Sequence, residues 1–286
     1  MGRMKVLQPG LFSSIQDYGR FGNMKYGVPA SGVMDRYAAR TANLMLRNDA
    51  NDAVLEITML GPKLEFTAAT KIVISGANLS PKLNAEEIEN NEIIEISEGD
   101  ILSFGRKILG CRTYLAISGG FTTEKVLGSK SWYDGITEHQ KLEKGMEIPF
   151  TEDAANKIET FAALKFNDDY LRSTVVEVYK GPEFEFLSEE HKSKLETLDF
   201  SIDQNNNRMA IQLQEELPNE LEPIITGPVV PGTVQLTPSG KLIILMRDCQ
   251  TTGGYPRVLQ LTDKGLRTMA QKLTNEEVRF YLTKPL

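Results

Sequence analysis

The densest group of residues that could do chemistry directly follows an apolar run near the end of the chain. The segment Arg247–Arg257 combines the acid Asp248, a thiol, hydroxyl and amide side chains, paired glycines, a tyrosine and a proline. Glycine lets a backbone approach a ligand closely, and successive N–H groups can bind an anion. A simple turn between strands needs only a few such residues, so we interpret Gln250, Thr251, Thr252, Gly253, Gly254 and Tyr255 as a ligand loop. No base lies near Cys249 in the sequence, which favours a buried thiol over a nucleophile.

A second polar group lies near the N-terminus, in Ser13–Arg20 and Pro29–Asp35. Arg20 could bind an anion and Asp17 could orient a donor; the alternative is a solvated salt bridge in a long loop, worth about 0–1 kcal/mol. Ser31 and Asp35 precede a helical pattern, where backbone N–H groups attract anions. Simple helix capping would explain Asp35 equally well.

Arg208 follows a polar turn, Asn205–Asn207, and precedes an apolar stretch. Its planar fork suits bidentate binding of a carboxylate, and an ordinary surface arginine is the competing interpretation.

Several classes of function are disfavoured by composition. The 39 acidic and 32 basic residues give a net charge of −7, so nucleic acid and membrane surfaces are not expected partners. The sequence has neither the apolar segment of a secretory signal nor a membrane-length run, and its two cysteines make no disulfide framework, which favours a cytoplasmic protein. The two histidines stand alone in polar stretches, which argues against zinc and against a Ser-His-Asp triad, and no bound metal is expected. No phosphate-binding loop motif of the P-loop or dinucleotide type occurs.

Short strands must position most of these residues. β-Branched runs recur between turn residues, which predicts a mainly β fold with a few helices, as in barrels or sandwiches. The runs are Val54–Ile57, Lys71–Ile74, Glu92–Ile96, Thr113–Ile117, Thr174–Tyr179, Leu242–Met246, Val258–Leu261 and the C-terminal Val278–Leu282.

Three helices are predicted from their N-caps and apolar spacing. The first follows Asp35 and runs to about Arg47, ended by a left-handed Asn48; the others begin at Ser188 and Thr262. The charged stretch 151–172 predicts a connection between two lobes, 1–150 and 173–286, within one region spanning all 286 residues.

Taken together, these segments resemble the family of 5-oxoprolinase C subunits, also described as allophanate hydrolase subunit 2, the carboxyltransferase-like part of urea amidolyase, or the antagonist of a sporulation-kinase inhibitor. The resemblance spans nearly the whole chain and rests on Gln16–Arg20, Gly27–Gly32 with Asp35, Ala42-Asn43, Asn48–Ala50, Leu55–Thr58, Ser75–Ala77, Gly181–Glu183, Asn207–Met209, Pro231–Gln235 and Asp248–Pro256.

The resemblance implies a cyclophilin-like fold of two β-barrel lobes, a partner resembling the B subunit of 5-oxoprolinase and a third protein resembling its A subunit. The assembly would open 5-oxo-L-proline to L-glutamate while splitting ATP, because phosphorylating the oxygen of a stable lactam creates a leaving group before water attacks. Such a site must hold a carboxylate, a polarised amide oxygen and a developing phosphate.

We assign Arg208, Arg20 and the Thr251–Tyr255 loop as donors, and Asp17, Asp35 or Asp248 as orienting or proton-transfer groups. Ser31, Asn43, Gln235 and Gln250 complete the expected substrate contacts, and we expect all these residues to converge on one polar cleft. Family members commonly have Gly-Tyr where this chain has Ala210-Ile211, which puts contacts near Arg208 in question.

Two other functions fit the same resemblance. One is a regulatory protein that antagonises a histidine-kinase inhibitor resembling the B subunit. The other is a biotin-dependent carboxyltransferase or a component related to allophanate hydrolase, which would need a separate biotin carrier.

Overall fold

Strands predominate in the computed structural model, which describes residues 1–151 and 166–284, and four α-helices accompany them there. The chain divides into two compact units: the first holds residues 1–20 and 31–171, and the second holds 21–30 and 172 onward. The prediction of a mainly β fold with a few helices is confirmed. Most of the predicted connection 151–172, namely residues 152–165, lies outside the residues that the structure describes.

The first unit is built from two sheets. One has the order β11-β1-β4-β9-β6-β7 and the other the order β2-β3-β10-β5-β8. Their strands are β1 (Gly2–Gln8), β2 (Phe12–Gln16), β3 (Val54–Thr58), β4 (Lys63–Phe66), β5 (Thr70–Asn78), β6 (Pro81–Leu83), β7 (Glu86–Glu87), β8 (Ile94–Ile96), β9 (Ile101–Phe104), β10 (Leu109–Ile117) and β11 (Glu147–Phe150).

The main core of this unit lies between the two sheets and joins Phe66 of the first to Leu55 and Leu115 of the second. Helix α1 (Arg36–Met45) covers the opposite face of the second sheet, where Ala38 packs among side chains of β3, β5 and β10. Because both faces of that sheet are covered, β5 and β10 are buried along almost their whole length rather than at alternate residues.

Helix α1 begins as predicted and ends earlier than predicted. The Asp35 carboxylate accepts hydrogen bonds from the N–H groups of Tyr37 and Ala38, both at 3.1 Å, which caps the first turn. The helix stops at Met45, and the left-handed residue is Arg47 (φ +58°), so the prediction of a left-handed Asn48 was wrong. The Asn48 backbone N–H donates to the carbonyl oxygen of Asn43 in the last turn at 3.0 Å, and its side chain donates to the carbonyl oxygen of Ile117 at 2.8 Å. A short second helix, α2 (Asp169–Arg172), follows the stretch that is not described.

The second unit is a closed barrel with the order β12-β19-β16-β17-β14-β13-β20, in which β12 and β20 pair in parallel and a separate ribbon joins β15 to β18. Its elements are β12 (Val175–Lys180), α3 (Glu189–Thr197), β13 (Phe200–Asn206), β14 (Ala210–Glu216), β15 (Gly227–Pro228), β16 (Thr233–Leu236), β17 (Lys241–Leu245), β18 (Thr252–Gly253), β19 (Arg257–Leu261), α4 (Asp263–Met269) and β20 (Glu277–Leu282).

The other two helices start at their predicted caps. The Ser188 hydroxyl accepts the N–H of His191 at the start of α3, and the Thr262 hydroxyl accepts the N–H of Gly265 at the start of α4. Both helices end before the last apolar residue predicted for them. Leu198 and Leu273 lie beyond the two C-terminal ends.

The two predicted barrel lobes therefore take different forms. The second unit closes into a ring, whereas the strands of the first unit lie in two sheets that share a core. The chain changes sheet between β1 and β2 at Gly10, whose φ is +72° and whose missing Cβ would lie 2.3 Å from the carbonyl oxygen of Leu60. Only glycine fits such a corner without displacing the backbone. Within the described residues, no helix is both long and apolar enough to cross a membrane.

Candidate functional site

Asp17 directly follows β2, and its buried carboxylate is surrounded by donors. One oxygen, Oδ1, accepts the hydroxyls of Ser129 (2.5 Å) and Ser131 (2.7 Å) and the N–H of Gly19 (2.8 Å). The other, Oδ2, accepts the N–H of Lys130 at 2.7 Å. Hydrogen bonds to an ionised acceptor are short and strong, and together they keep a buried negative charge stable. We call this set of four residues and the carboxylate they bind the Asp17 cage.

Arg20 is bound to the same structure and has no exposed surface. Its guanidinium donates to the carbonyl oxygen of Ser131, whose hydroxyl donates to Asp17. The alternative of a solvated salt bridge in a long loop is wrong, because Arg20 is fully buried and Asp17 is 4% exposed. Charged side chains are rarely buried so completely unless they make many hydrogen bonds, so the complete burial of Arg20 is unusual.

Ser31 lies beside the cage in a strained conformation. Its φ of +55° is left-handed, which costs a residue with a Cβ about 1–2 kcal/mol. Its hydroxyl is buried and has no hydrogen-bond partner among the described residues. The backbone that follows is fixed, because Gly32 N–H donates to Gln16 Oε1 (3.2 Å) and Val33 N–H donates to the carbonyl oxygen of Asp17 (2.8 Å). A residue kept in a strained backbone conformation, with a buried and unbonded hydroxyl, is typical of functional sites.

Asp35 serves as a helix cap, as one of its two interpretations predicted. The N–H groups that would attract an anion are occupied by its own Oδ1, while Oδ2 accepts the hydroxyl of Tyr170 at 2.5 Å. Its backbone N–H donates to the Tyr114 hydroxyl at 2.8 Å. Burial, with the negative charges of Glu56 and Asp35 nearby, raises the pKa of Tyr114 well above its usual value, so this phenol stays neutral.

Glu56 was missed by sequence reasoning, although it helps to fix the same segment. Its Oε2 accepts the N–H of Met34 at 2.7 Å, and its Oε1 lies 3.9 Å from Nε of the buried Arg112. In the sequence it alternates with Leu55 and Ile57, which is typical of a residue on the solvent side of a strand. Glu56 could have been identified by recognising that both faces of its strand are covered, one of them by α1, so that an acid in this strand must be buried.

Asn43 is placed apart from these residues, near the opposite end of α1. Its amide donates to the carbonyl oxygen of Asp52 at 2.7 Å and accepts from Asn48 at 3.1 Å. These bonds shape the loop that leaves the helix, which gives Asn43 a structural role in addition to its predicted contact with substrate.

In the second unit, Arg208 lies immediately before β14 and holds Asp248 in a fork. Nε donates to Oδ2 at 2.8 Å and one terminal nitrogen donates to Oδ1 at 3.1 Å. Asp248 N–H also donates to the carbonyl oxygen of Arg208 at 2.9 Å. The fork of Arg208 is therefore occupied by a carboxylate of the protein itself, both side chains are mostly buried, and a contact of Arg208 with substrate stays a prediction.

The loop after Asp248 is exposed at several predicted contacts, namely Gln250, Thr252 and Tyr255. Gly253 adopts no left-handed φ; it belongs to β18 and is required there because a Cβ would lie 2.5 Å from Nε2 of the buried Gln235. Gln235 in turn donates to the carbonyl oxygen of Tyr255 at 3.4 Å.

Gly253 and Gly254 do not form a left-handed anion nest, since Gly254 also lacks a positive φ. Thr251 contributes its backbone, whose carbonyl oxygen accepts the N–H of Val229 at 3.1 Å. Burial, reinforced by the charge of Asp248, raises the pKa of Cys249 to about 12, as expected for a buried thiol that is not a nucleophile.

A second arginine fork, also missed from the sequence, fixes the far end of this loop. Arg257 donates to Glu183 through Nε (2.9 Å), a terminal nitrogen (2.7 Å) and the backbone N–H (2.8 Å). These hydrogen bonds lower the pKa of Glu183. A Cβ on Gly181 would lie 2.1 Å from the carbonyl oxygen of Arg257, so the Gly181–Glu183 turn fits closely against it.

The predicted residues thus form two clusters, one in each unit, and their convergence on one cleft stays a prediction. The cluster of the first unit contains a saturated acid, a buried arginine and the strained Ser31; that of the second contains an arginine fork and an exposed loop of hydroxyl groups. In residues 1–151 and 166–284, no group of three His, Cys, Asp or Glu side chains could hold a metal ion.

Comparison with known proteins gives a family match over most of the chain. The family model described as carboxyltransferase domain, subdomain A and B, matches residues 26–282. The C subunit of 5-oxoprolinase from Escherichia coli is 27% identical over 284 residues, covering 97% of this chain and 90% of that protein. The protein of the same name from Haemophilus influenzae is 28% identical, covering 94% of this chain and 87% of its own.

Two larger proteins resemble this chain over part of their length. The urea amidolyase of Lachancea kluyveri is 42% identical over 130 residues, which cover 45% of this chain and 7% of that protein. The crystal structure of the Kluyveromyces lactis urea amidolyase superposes with a TM-score of 0.88 at 28% identity, covering 99% of this chain. This chain spans only 19% of that solved protein.

Proposed function

Because this chain belongs to the carboxyltransferase-domain family, we propose that it is the C subunit of an ATP-dependent 5-oxoprolinase that acts with two further proteins, which resemble the A and B subunits. The observation that carries the proposal is the match to the E. coli protein of that name over 97% of this chain and 90% of that protein. The urea amidolyase of Lachancea kluyveri is more identical locally, but its sequence match covers less than half of this chain.

The proposed substrate, 5-oxo-L-proline, has one carboxylate and one lactam oxygen, and the two clusters supply groups of the matching kinds. Thr252 and Tyr255 are exposed donors on the loop after Asp248, beside the fork that Arg208 makes with Asp248. In the first unit, the unbonded hydroxyl of Ser31 is a donor of the kind that a polarised oxygen needs, although it is buried in this conformation. We assign Arg208 and Asp248 to positioning the loop, and Asp17 and Arg20 to positioning Ser31.

The loop after Asp248 does not suit the triphosphate of ATP. The sequence has no P-loop, and the paired glycines Gly253 and Gly254 lack the left-handed conformation of an anion nest. We therefore assign ATP to the complex rather than to a cradle on this chain.

The proposal is tested by mixing the purified chain with its A-type and B-type partner proteins, 5-oxo-L-proline and ATP, and measuring glutamate. Glutamate should form only when all three proteins are present. A complete mixture that forms a complex yet releases no glutamate would contradict the proposed function.

Variants then test the site separately from the function. Arg208→Ala should lower turnover by about tenfold or more, since it removes both hydrogen bonds that hold Asp248, and Thr252→Ala should lower it by roughly threefold. The matched control is Arg279→Ala, which removes an equivalent but exposed fork to Asp199 in the same barrel and should leave turnover within about twofold. Active complex with both site variants unchanged would remove the site assignment and leave the function standing.

A regulatory binding protein is the second candidate, and one observation favours it. The acids of the site are engaged within the protein, Asp17 by four donors and Asp248 by Arg208, so neither carboxylate is free to transfer a proton, which favours binding without turnover. It predicts a tight complex with the B-type partner protein and an altered activity of the cognate histidine kinase, without consumption of 5-oxoproline. A biotin-dependent carboxyltransferase, the third candidate, is distinguished by its dependence on a biotinylated carrier.

A further inference from the structure

One end of the first unit exposes apolar side chains on adjoining loops. The corner before β2 meets the turn after β3, where the N–H of Leu11 donates to the carbonyl oxygen of Leu60 at 2.9 Å. That turn meets the end of β9, because a Cβ added to Gly61 would lie 2.4 Å from Cγ of Phe104. Leu11, Leu60 and Ile108 are 54%, 59% and 67% exposed. Single exposed apolar residues are common, whereas several on adjoining loops indicate a contact surface.

The charged groups of these loops are all basic. Arg106 and Lys107 lie between β9 and β10, Lys63 begins β4, and none of the three forms an ion pair within the described residues. The acid nearest to Lys63 in sequence, Glu65, lies opposite Lys5 in the sheet. Although the chain has 39 acids and 32 bases, four stretches that meet here contain no acid, namely 1–16, 57–64, 66–85 and 101–123. We call the surface formed by residues 10–12, 59–63 and 104–108 the cationic end.

A surface of opposite charge adjoins the cationic end. Residues 83–100, which we call the acidic edge, contain seven acids and no base, and they include β7 and β8, the last strands of the two sheets. Three of these acids are exposed and form no ion pair in the part of the chain that the structure describes, namely Glu89, Glu92 and Glu98. Lys82 marks the boundary, since its Nζ lies 3.6 Å from Glu87 Oε1 and its Cε would lie 4.0 Å from a Cβ added to Gly105.

The adjoining charges narrow the choice of partner. An anionic membrane surface would attract the cationic end, but the acidic edge beside it would be repelled. Acids on edge strands also discourage pairing with other strands, which accounts for the acidic edge alone but not for the unpaired cations next to it. A partner that presents both signs side by side satisfies both surfaces, and a second copy of this chain presents them in the required arrangement.

We propose that two copies of this chain form a dimer in which the cationic end of each copy docks on the acidic edge of the other. Because the two surfaces adjoin at Lys82, a two-fold axis near this residue makes both contacts at once and closes the assembly. The dimer supplies counter-charges to Arg106 and Lys107 and covers Leu60 and Ile108. Neither surface contains a candidate site residue, so the dimer does not rest on the proposed function.

Sedimentation velocity of the full chain tests for this dimer. The 31.9 kDa monomer should convert to a species of twice that mass as the concentration rises. We expect a Kd on the order of 10 µM at about 0.05 M salt, and binding at least about fivefold weaker at about 0.5 M salt, because salt screens the exposed charges. A chain that stays monomeric up to about tenfold above that concentration at low salt would overturn the proposal.

A charge swap assigns the contact to the two surfaces. Arg106→Glu with Lys107→Glu, and separately Glu89→Lys with Glu92→Lys, should each weaken self-association by at least about tenfold, since like charges then meet in both contacts. Mixed together, the two double variants should form a heterodimer with a Kd within about threefold of the parent value, because opposite charges meet again in both contacts. Misfolding of either variant would not produce this rescue.

Matched controls use exposed residues elsewhere in the first unit. Lys125→Glu with Lys144→Glu makes the same change of net charge and should leave the Kd within about twofold. Leu60→Ser should weaken the dimer by about fivefold, whereas Leu127→Ser, at a leucine that is 49% exposed, should not.

Three outcomes of these experiments would contradict the dimer. One is a mixture of the two double variants that stays monomeric. Another is equal weakening by the lysine control pair, which would show general repulsion between acidic chains. The third is a monomeric parent that binds phosphatidylglycerol vesicles or the B-type partner protein and loses that binding in Arg106→Glu with Lys107→Glu, which would assign the cationic end to that other partner.

Discussion

Replacing Asp17 by asparagine tests whether the Asp17 cage holds the first unit together. The substitution keeps the shape of the side chain and removes its charge. If the amide oxygen takes the position of Oδ1, it still accepts from Ser129, Ser131 and Gly19, but the new NH₂ group faces the N–H of Lys130. One bond is then lost outright, and three lose the charge that strengthened them. Charged hydrogen bonds contribute about 1.5–3 kcal/mol each and neutral ones about half as much, so one lost bond and three weakened ones give an expected loss of about 4 kcal/mol or more.

The assay follows from the position of Trp132. Its backbone N–H donates to the carbonyl oxygen of Ile15 at 2.9 Å, and its carbonyl oxygen accepts from Gln16, so it is bonded to the strand that leads into Asp17. Emission of this single tryptophan during a urea titration therefore reports unfolding of the first unit. Asp134→Asn is the matched control, since Asp134 is exposed and only three residues from Ser131.

The expected result is a lower urea midpoint for Asp17→Asn with an unchanged slope, while Asp134→Asn stays within about 0.5 kcal/mol of the parent. An Asp17→Asn protein as stable as the control would refute the reasoning, because it would mean that the four bonds contribute no more than bonds to water. A large loss in both variants would show that the loop responds to any change of charge.

Three further results are expected. Ser31→Gly should be more stable than Ser31→Ala by about 1 kcal/mol in the same urea titration, because glycine accepts the φ of +55° without strain; an alanine variant that is equally stable would argue against strain at this residue. Arg257 lowers the pKa of Glu183, so the unfolded chain takes up the proton first; the stabilisation is full above about pH 4.3 and is lost as the pH falls through the lower folded value. Glu183→Gln should therefore show a shallower acid loss of stability by circular dichroism than the parent, and identical acid profiles would contradict the assignment. With a pKa of about 12, Cys249 should react with iodoacetamide at pH 8 on the order of a thousandfold more slowly than an ordinary exposed thiol; fast labelling of its peptide in the native protein, detected by mass spectrometry, would show that the burial is wrong.

The strands could be predicted because short local sequence patterns indicate where they lie. β-Branched runs separated by turn residues located β3, β5, β10 and β19, and the N-caps Asp35, Ser188 and Thr262 located three helix starts. Helix ends were less accessible: the left-handed residue after α1 is Arg47 rather than Asn48, and the Asn48 side chain donates to the carbonyl oxygen of Ile117, 69 residues away in sequence. Such contacts leave no local pattern.

The sequence predicted which residues belong to the candidate site, but it did not predict the hydrogen bonds that they make. Sequence spacing indicated that Asp17 and Arg20 flank a glycine turn, yet their burial depends on Ser129 and Ser131, more than 100 residues later. Polar side chains are usually exposed, so a solvated interpretation is the natural one when the distant partners are unknown. Glu56 was missed for the same reason, since its second covering layer comes from a helix that precedes it in the chain.

The bonding narrows the roles that these acids can have in any reaction. A general base needs a lone pair that is free to meet the proton, and the Asp17 carboxylate already accepts from four donors. Asp248 is likewise held by Arg208 through both oxygens. Both acids are therefore better suited to fixing neighbouring groups than to transferring protons. The exposed groups left to meet a ligand are the hydroxyls of Thr252 and Tyr255, which bind and polarise a substrate without activating water on their own. Under the proposed function, these groups would position a small acid while the A-type and B-type proteins provide the phosphate chemistry, and the three-protein mixture tests that proposal.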